Sequence, residues 1–405
     1  RPLERAARDA DEWDADAVER ELTLLGLLAM EDPPRPEVPR AIRTCRDAGI
    51  RVLMATGDDP RTAEAIGREI GLYDVAPRTV TGRELDAMDD AQLAHILADA
   101  EPLFARVSPE HKLRLVEALQ GLGEVVAVTG DGVNDAPALK RAEVGVAMGA
   151  TGTDVAREAA DLVLANDDFA SVVAAVEEGR AVYDNLRKFM TYILSSNVPE
   201  VVPFVAFVVL GIPLPLTVMQ ILAVDLGTDL APALALGAEP PEPDVMRRPP
   251  RSRRERLLDA QLLARAYLWL GPLEAVLAML AFFYAYWLAG LGPWEALPSS
   301  GEIYRTATTM SFAGIVACQV GNVFACRSSH ESLRRTTLRR NPLLLLGIML
   351  EIGVLVALIY VPSLARAFGL EPLAASHWAL LAAFAPLIVL LEELRKAVAR
   401  RRARA

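Results

Sequence analysis

The chain has 405 residues, of which 52 % are hydrophobic, and a formal net charge of -11. This length leaves room for two or three domains. The negative charge, without an aromatic and basic platform, argues against nucleic acid as a partner. The three cysteines, Cys45, Cys318 and Cys326, form neither a disulfide framework nor a zinc motif.

The first part of the chain alternates short apolar runs with amphipathic stretches. This alternation predicts an α/β domain in which helices cover both faces of a parallel sheet. The predicted strands are 24–30, 51–55, 103–107, 124–129, 144–147 and 161–164. The predicted helices are 36–48, 60–71, 109–120, 136–141 and 153–159, and a further long helix opens after residues 166–168.

The rest of the chain contains six long apolar stretches. They lie near 189–210, 214–236, 262–291, 304–326, 343–360 and 377–394. Each approaches the roughly 20 residues that a membrane-spanning helix needs. Any one of them alone fits a buried core helix, but six in series predict an all-α membrane bundle in contact with lipid.

Arginine is concentrated in three places that indicate the orientation of the chain. These clusters lie at 247–256, 334–340 and 395–404, after the second, fourth and sixth apolar stretches. Because positive charge marks the cytoplasmic side of a membrane, both termini are expected in the cytoplasm. We therefore expect a multi-pass protein, and place it in the plasma membrane.

Two acidic loops follow predicted strands, where parallel sheets carry their chemistry. The first is Thr56-Gly57-Asp58 and the second is TGDGVNDAP at 129–137. Carboxylate and amide oxygens in such a loop suit Mg²⁺, and glycine lets the backbone approach a ligand. A tight Asp/Gly/Asn turn is the alternative for the short string TGDG alone.

The nine-residue string resembles the hinge motif of P-type ATPases. Further strings agree in the same order: DPPR at 32–35, MATGD at 54–58, ARVSPEHK at 105–112 and VEEGR at 176–180. The likeness covers essentially the whole chain and is greatest to the type II cation pumps, which include the calcium and sodium/potassium pumps.

The resemblance implies a specific division of the chain. Residues 1–20 resemble the tail of a nucleotide-binding domain. Residues 21–178 resemble the C-terminal part of a Rossmann-like, haloacid-dehalogenase-type phosphorylation domain. Residues 179–405 resemble the fifth to tenth spans of the full pump.

The resemblance also implies roles in handling ATP. Lys112 would contact the transferred phosphoryl group, Thr56 and Gly57 would hydrogen-bond its oxygens, and Asp58 would hold that loop. Arg106 would meet the nucleotide. These roles agree with phosphoryl transfer, which depends mainly on positioning and charge neutralisation.

A second set of residues is implied for the Mg²⁺ cofactor. Asp131 would ligate the metal, with Asn134 and Asp135 beside it. The phosphorylated aspartate of the family lies in a DKTG string, which occurs nowhere in these 405 residues. We therefore expect the isolated chain to be inactive and to need the missing N-terminal part of the pump.

Ionisable residues inside apolar spans indicate a functional site because their burial is costly. The first span contains Asn197 and Glu200, and the second contains Asp225, Thr228 and Asp229. Asp225 and Asp229 are one helical turn apart and share a face. Their oxygens suit a hard cation, although hydrogen bonds between helices are the alternative.

These five residues match the transport site of the family, and Gln319 and Asn322 match its contributors from the fourth span of this chain. The string VDLGTD at 224–229 favours a sodium/potassium-like pump, whereas Asn322 stands where those pumps carry Asp. Ser196 argues against a proton pump of the gastric kind. The roles of Glu274 and Glu351, structural or ligating, stay open.

Three alternatives to a sodium/potassium-like pump remain at this point. The first is a calcium pump of the same family, and the second is a non-catalytic membrane remnant of a split or truncated gene. The third is a phosphatase tethered to a membrane anchor, which the missing nucleophile and the carboxylates within the spans disfavour.

Overall fold

The computed structural model describes residues 22–26, 33–99, 101–292, 295–328 and 341–402. Within these residues the chain has a parallel α/β portion followed by six long apolar helices, as the sequence predicts. The predicted tail of a nucleotide-binding domain (1–20) and the arginines at 334–340 lie outside the described residues.

The strands of the α/β portion are short and all their pairings are parallel. They are β1 Met54–Ala55, β2 Thr79–Thr81, β3 Leu103–Ala105, β4 Ala127–Gly130, β5 Val144–Met148 and β6 Leu162–Leu164. In the described part of the chain they form two sheets of three strands, in the orders β1-β3-β2 and β4-β5-β6.

The sequence predicted a parallel sheet, but it gave no sign that the described strands would lie in two sheets. The edge strands β1 and β4 both line an apolar cavity of about 420 Å³, whose walls include Met54, Phe104 and Val128. No described strand pairs with the outer edge of β1 or with the outer edge of β4. Among the described residues, no strand bridges the space between the two sheets.

Seven helices accompany these strands. They are α1 Val38–Asp47, α2 Pro60–Glu69, α3 Gly82–Ala87, α4 Asp90–Asp99, α5 Pro109–Gly121, α6 Ala136–Arg141 and α7 Asp154–Ala159. Local sequence determines where α5 begins. The Ser108 side chain accepts a hydrogen bond from the backbone N–H of His111, and the His111 ring accepts one from the backbone N–H of Ser108. Pro109 is the first residue of the helix.

The sequence reading missed strand β2 and helices α3 and α4. Strand β2 is a three-residue polar segment, Thr79-Val80-Thr81, which is too short to show alternation. The predicted strand at 24–30 is wrong for its described part, because residues 22–26 have no regular secondary structure. Residues 27–30 lie outside the described residues.

Six of the described helices are long and apolar enough to cross a membrane. They are α8 Ala170–Leu210, α9 Val218–Gly237, α10 Ala260–Leu288, α11 Glu302–Cys326, α12 Pro342–Tyr360 and α14 Ala375–Arg402. A short helix α13, Pro362–Phe368, precedes the last of them. Helix α11 is the most buried of the six and lies at the centre of the bundle.

Helix α8 joins the two portions of the molecule. It has 41 residues and begins at Ala170, so its length is about 60 Å, roughly twice the hydrocarbon thickness of a bilayer. The first predicted span, 189–210, is therefore the distal half of a longer helix. The proximal half is a stalk that extends from the α/β portion.

Two contacts fix the stalk and the following loop to the α/β portion. The guanidinium of Arg180 on α8 donates to the carbonyl oxygens of Ala48, Val245 and Arg248 at 2.8–2.9 Å. The guanidinium of Arg253 contacts the carboxylate of Glu143. The loop between α9 and α10 is thereby held against the α/β portion.

Candidate phosphate site and cation site

Backbone hydrogen bonds to β3 and to the segment after it fix the loop after β1. Thr56 N donates to Phe104 O at 2.9 Å, and Val107 N donates to Thr56 O at 3.1 Å. The Thr56 hydroxyl donates to the Asp58 carboxylate at 3.0 Å. Asp58 is thus bonded within this loop, and Gly57 lies between the two bonded side chains.

Arg106 adopts a left-handed backbone conformation, with φ of 53°. Such a conformation is uncommon for a residue other than glycine. It is fixed by a bond from Arg106 N to Asp58 O at 3.0 Å and an ion pair with Asp59 at 3.0 Å. The hydrogen bond from Arg106 lowers the pKa of Asp59. The sequence reading did not identify Asp59 as this partner.

The loop after β4 is organised around the buried carboxylate of Asp135. Its Oδ1 accepts from Lys112 Nζ at 2.6 Å, and its Oδ2 accepts from the backbone of Asp131 and Gly132 at 3.3 and 3.1 Å. Gly130 is required here, because a Cβ at that position would lie 2.4 Å from the Asp135 Cβ. The structure therefore brings Lys112 to the acidic loop.

Asp131 and Asn134 are exposed at the surface of the same loop. The carbonyl of Asp131 accepts from Thr153 N at 2.8 Å, which fixes the backbone. Its carboxylate has no hydrogen bond or ion pair among the described residues. A hard, unengaged carboxylate at the end of a strand fits Mg²⁺, so the donor set agrees with this cofactor.

Three carboxylates from two helices meet within the apolar bundle. One oxygen each of Glu200, Asp225 and Asp229 lies within 4.8 Å of the others, close enough to hold one metal ion. Glu200 and Asp229 are buried, whereas Asp225 is exposed in this chain. The cage is therefore open on one side.

The backbone near these carboxylates departs from the α-helix. Residues Val224–Thr228 of α9 form a π-helical segment, in which Asp229 N donates to Val224 O at 3.0 Å. Such segments frequently mark functional sites. In α8, Pro199 and Pro203 lie inside the helix and cannot donate to the preceding turn. Backbone hydrogen bonding is therefore interrupted in both helices near the carboxylates, and the π geometry was not predicted from the sequence.

Two residues missed by the sequence reading support this cage. The Tyr192 hydroxyl donates to Asp229 Oδ1 at 2.9 Å, and Ser195 Oγ accepts from Asn322 Nδ2 at 2.7 Å. Tyr192 and Ser195 are fully buried. Their position one to two turns before Glu200 on the same helix was the signal that could have found them.

The other predicted ligands are placed less uniformly. Asn197 is exposed, and the Thr228 hydroxyl donates to Val224 O at 3.0 Å. The amide of Gln319 and the carboxylates of Glu274 and Glu351 are fully buried and have no hydrogen-bond partner within the described ranges. Hydrogen bonds between helices therefore give no structural explanation for these last three residues.

Comparison with sequence families assigns both portions of the chain. Residues 213–398 match the family described as cation transporting ATPase, C-terminus. Residues 2–143 and 113–176 match two families described as haloacid dehalogenase-like hydrolase.

Individual relatives point to the same family. The chain is 39 % identical to the sodium/potassium-transporting ATPase subunit alpha-4 of Rattus norvegicus, over 94 % of its length. It is 42 % identical to an endoplasmic reticulum calcium ATPase of Aspergillus fumigatus, over 99 % of its length, and 42 % identical to a calcium-transporting ATPase of Bacillus subtilis, over 90 %. It spans only 39–43 % of these relatives. The chain belongs to the P-type cation ATPases and covers the C-terminal part of their haloacid dehalogenase-like region together with their C-terminal membrane region.

Proposed function

We propose that this chain supplies most of the cation cage and much of the phosphate-handling machinery of an ATP-driven cation pump. The observation that carries the proposal is the continuity of α8. This helix begins at Ala170, directly beyond the α/β portion, and carries Glu200 into the carboxylate cage. A displacement at the phosphate loops would reach the cage through one continuous helix.

The phosphate loops fit the positioning that phosphoryl transfer requires. Lys112 places its ammonium beside the acidic loop, and the three contacts of Asp135 favour a positioning role over direct metal ligation. Asp131 and Asn134 remain accessible to hold Mg²⁺. When bound, Mg²⁺ neutralises charge on the phosphoryl oxygens of the substrate ATP. Arg106, fixed by Asp59, is the candidate contact to the nucleotide.

The nucleophile is expected on a strand supplied by sequence outside these 405 residues. Among the described residues, the cavity between β1 and β4 has apolar walls and no strand pairs with the outer edge of either, which suits one inserted parallel strand. The chain alone should therefore form no phosphoenzyme. Pump-like ATP turnover by the purified chain, abolished by Asp131→Ala, would show that the nucleophile lies within it.

The transported ion is proposed to be sodium or potassium. Asp225 adds a third carboxylate to Glu200 and Asp229. The further candidate ligands are Asn197 and Thr228 on the same two helices, and Gln319 and Asn322 on α11. A calcium pump is the second candidate, and it is favoured by the identity to the calcium ATPases, 42 % against 39 % for the sodium/potassium pump subunit. We place the protein in the plasma membrane with both termini cytoplasmic.

The cation dependence of phosphorylation distinguishes the two candidates. In the complete pump, phosphorylation by ATP should require sodium or potassium, and Asp225→Asn should weaken that activation. The exposed Asp74→Asn, in a loop of the α/β portion, is the matched control. Activation by micromolar Ca²⁺ without sodium, surviving Asp225→Asn, would place the protein with the calcium pumps.

A further inference from the structure

A large cavity lies at the end of the helical bundle that adjoins the α/β portion. Its volume is about 720 Å³. Its walls come from the stalk half of α8, the loop between α9 and α10, the first turns of α10, and α14. The proposed phosphate and cation sites use none of the residues that line it.

Basic side chains dominate the wall of this cavity. Arg187, Lys188, Arg248, Arg251, Arg265 and Arg395 all line it. The acidic lining residues are Asp184, Glu242, Glu255 and Asp259. Ion pairs with carboxylates engage five of the six cations, for example Arg187 with Asp259 at 2.7 Å and Arg248 with Glu242 at 2.6 Å. A guanidinium has five N–H donors, so such pairs leave donors for a ligand.

Arg251 is the cation best placed to meet an anion. Its guanidinium lies 3.2 Å from the centre of the Tyr183 ring, a stacking that orients it. It forms no ion pair with a carboxylate in the part of the chain that the structure describes. Deeper in the wall, the Nε of Arg265 is buried and lacks a hydrogen-bond acceptor among the described residues.

Two of the segments that form this wall belong to arginine clusters. Six of the ten residues 247–256 are arginine, and α14 ends in Arg400, Arg401 and Arg402. Basic pockets between spans on the cytoplasmic side, next to such clusters, are typical binding sites for anionic lipid headgroups. Guanidinium groups bind phosphate through paired, charge-assisted hydrogen bonds.

An apolar surface adjoins the same cavity. Trp269 lines it, and the neighbouring Leu268 and Tyr267 on α10 are 77 % and 41 % exposed. An amphipathic Trp or Tyr at this level is typical of a membrane interface. A ligand with a phosphate headgroup and acyl chains satisfies both surfaces, whereas free phosphate satisfies only the first.

We propose that this cavity binds the phosphate headgroup of an anionic phospholipid, with Arg251 as its principal contact and the acyl chains along the first turns of α10. The proposal goes beyond the pump function. Lipid binding is measured without ATP or transported cation, so a negative result in the pump assay would not count against the lipid site.

The test is retention of lipid by the pump that contains this chain, purified in a neutral detergent and measured by native mass spectrometry. It is titrated with phosphatidylglycerol or phosphatidylcholine in parallel, and with inorganic phosphate as a competitor. Arg251→Gln should weaken phosphatidylglycerol binding about fivefold, the effect expected of one basic residue near an anionic lipid. Arg251→Lys, which keeps the charge, should retain most of it.

The control is Arg83→Gln, the same change of charge at an exposed position of α3, outside the cavity wall and both arginine clusters. It should leave binding unchanged. Equal weakening by both variants, or equal retention of both lipids, would overturn the site. Displacement of phosphatidylglycerol by millimolar inorganic phosphate would overturn the assignment to a lipid.

Discussion

The ammonium of Lys112 lies 2.6 Å from Oδ1 of Asp135, and both side chains are largely shielded from water. Lys112 stands in the first turn of α5, where the helix dipole disfavours a cation. Asp135 also accepts from two backbone groups of its own loop. One carboxylate therefore fixes both the lysine and the loop that carries Asp131.

In the complete pump, Lys112→Ala should slow phosphoenzyme formation and leave equilibrium cation binding intact. Loss of one preorganised charge at the phosphoryl group should cost roughly 10²–10³ in rate. Rapid-quench measurement of phosphorylation checks this, with Lys140→Ala at an exposed position of α6 as the control. A normal rate for Lys112→Ala would remove the role assigned to this residue.

The contact between Glu143 and Arg253 should make stability depend on pH. Partial burial raises the pKa of Glu143, but hydrogen bonds from Val126, Gln120 and Arg253 outweigh it and lower the pKa to about 2. Because the folded pKa is depressed, the stabilisation is present above the usual value of 4.5 and is lost as pH falls toward 2.

Glu143→Gln should accordingly reduce stability at pH 7 by on the order of 1 kcal/mol, since half-exposed pairs contribute little. The difference from the parent should shrink as the pH is lowered below 4.5. Unfolding midpoints at several pH values measure it, with the exposed Glu158→Gln as control. A difference that grows on acidification would contradict the assigned contact.

Tyr192→Phe should weaken cation binding to the complete pump by about tenfold, the usual range for losing a group that orients a ligand. The change removes only the hydroxyl that donates to Asp229. Equilibrium binding of the transported ion measures the effect. Tyr267→Phe, on the exposed surface of α10, should behave as the parent; an unaltered affinity for Tyr192→Phe would show that this bond does not orient the cage.

Arg180→Ala should reduce ATP-driven transport more than it reduces cation binding. Three carbonyl groups from α1 and the α9–α10 loop lose their shared donor, and each bond to a charged group is worth roughly 1.5–3 kcal/mol. Transport into vesicles, compared with binding, measures the coupling. Arg43→Ala at an exposed position of α1 is the control; normal transport by Arg180→Ala would leave the stalk contact without a coupling role.

Much of the fold could be predicted because its determinants are local. Alternating apolar runs predicted five of the strands, and the length of the apolar runs predicted all six long helices. Helix α6 was predicted to the residue because Pro137 opens it and two basic residues close it. Strand β2 escaped because three residues carry no period.

The residue types at the two sites could be predicted from the sequence, but the contacts between them could not. The string TGDGVNDAP at 129–137 predicts a phosphate loop, yet it does not contain Lys112, which reaches Asp135 from 23 residues away. Likewise, VDLGTD at 224–229 predicts a cage, but the π-helical turn depends on how α9 packs, not on the string. The division into two sheets depends on a space between β1 and β4, which no local pattern encodes.

We propose that Glu200, on the helix that links the two portions, controls phosphorylation through a bound cation. The most direct measurement is the cation concentration that half-activates phosphorylation of the complete pump in Glu200→Gln. The matched control is Glu178→Gln, an exposed stalk position of the same helix. We expect this half-activating concentration to rise at least about tenfold, or 1.4 kcal/mol, for Glu200→Gln and to stay unchanged for Glu178→Gln. Activation of Glu200→Gln at the parent's cation concentration, or phosphorylation of the parent pump without any cation, would contradict it.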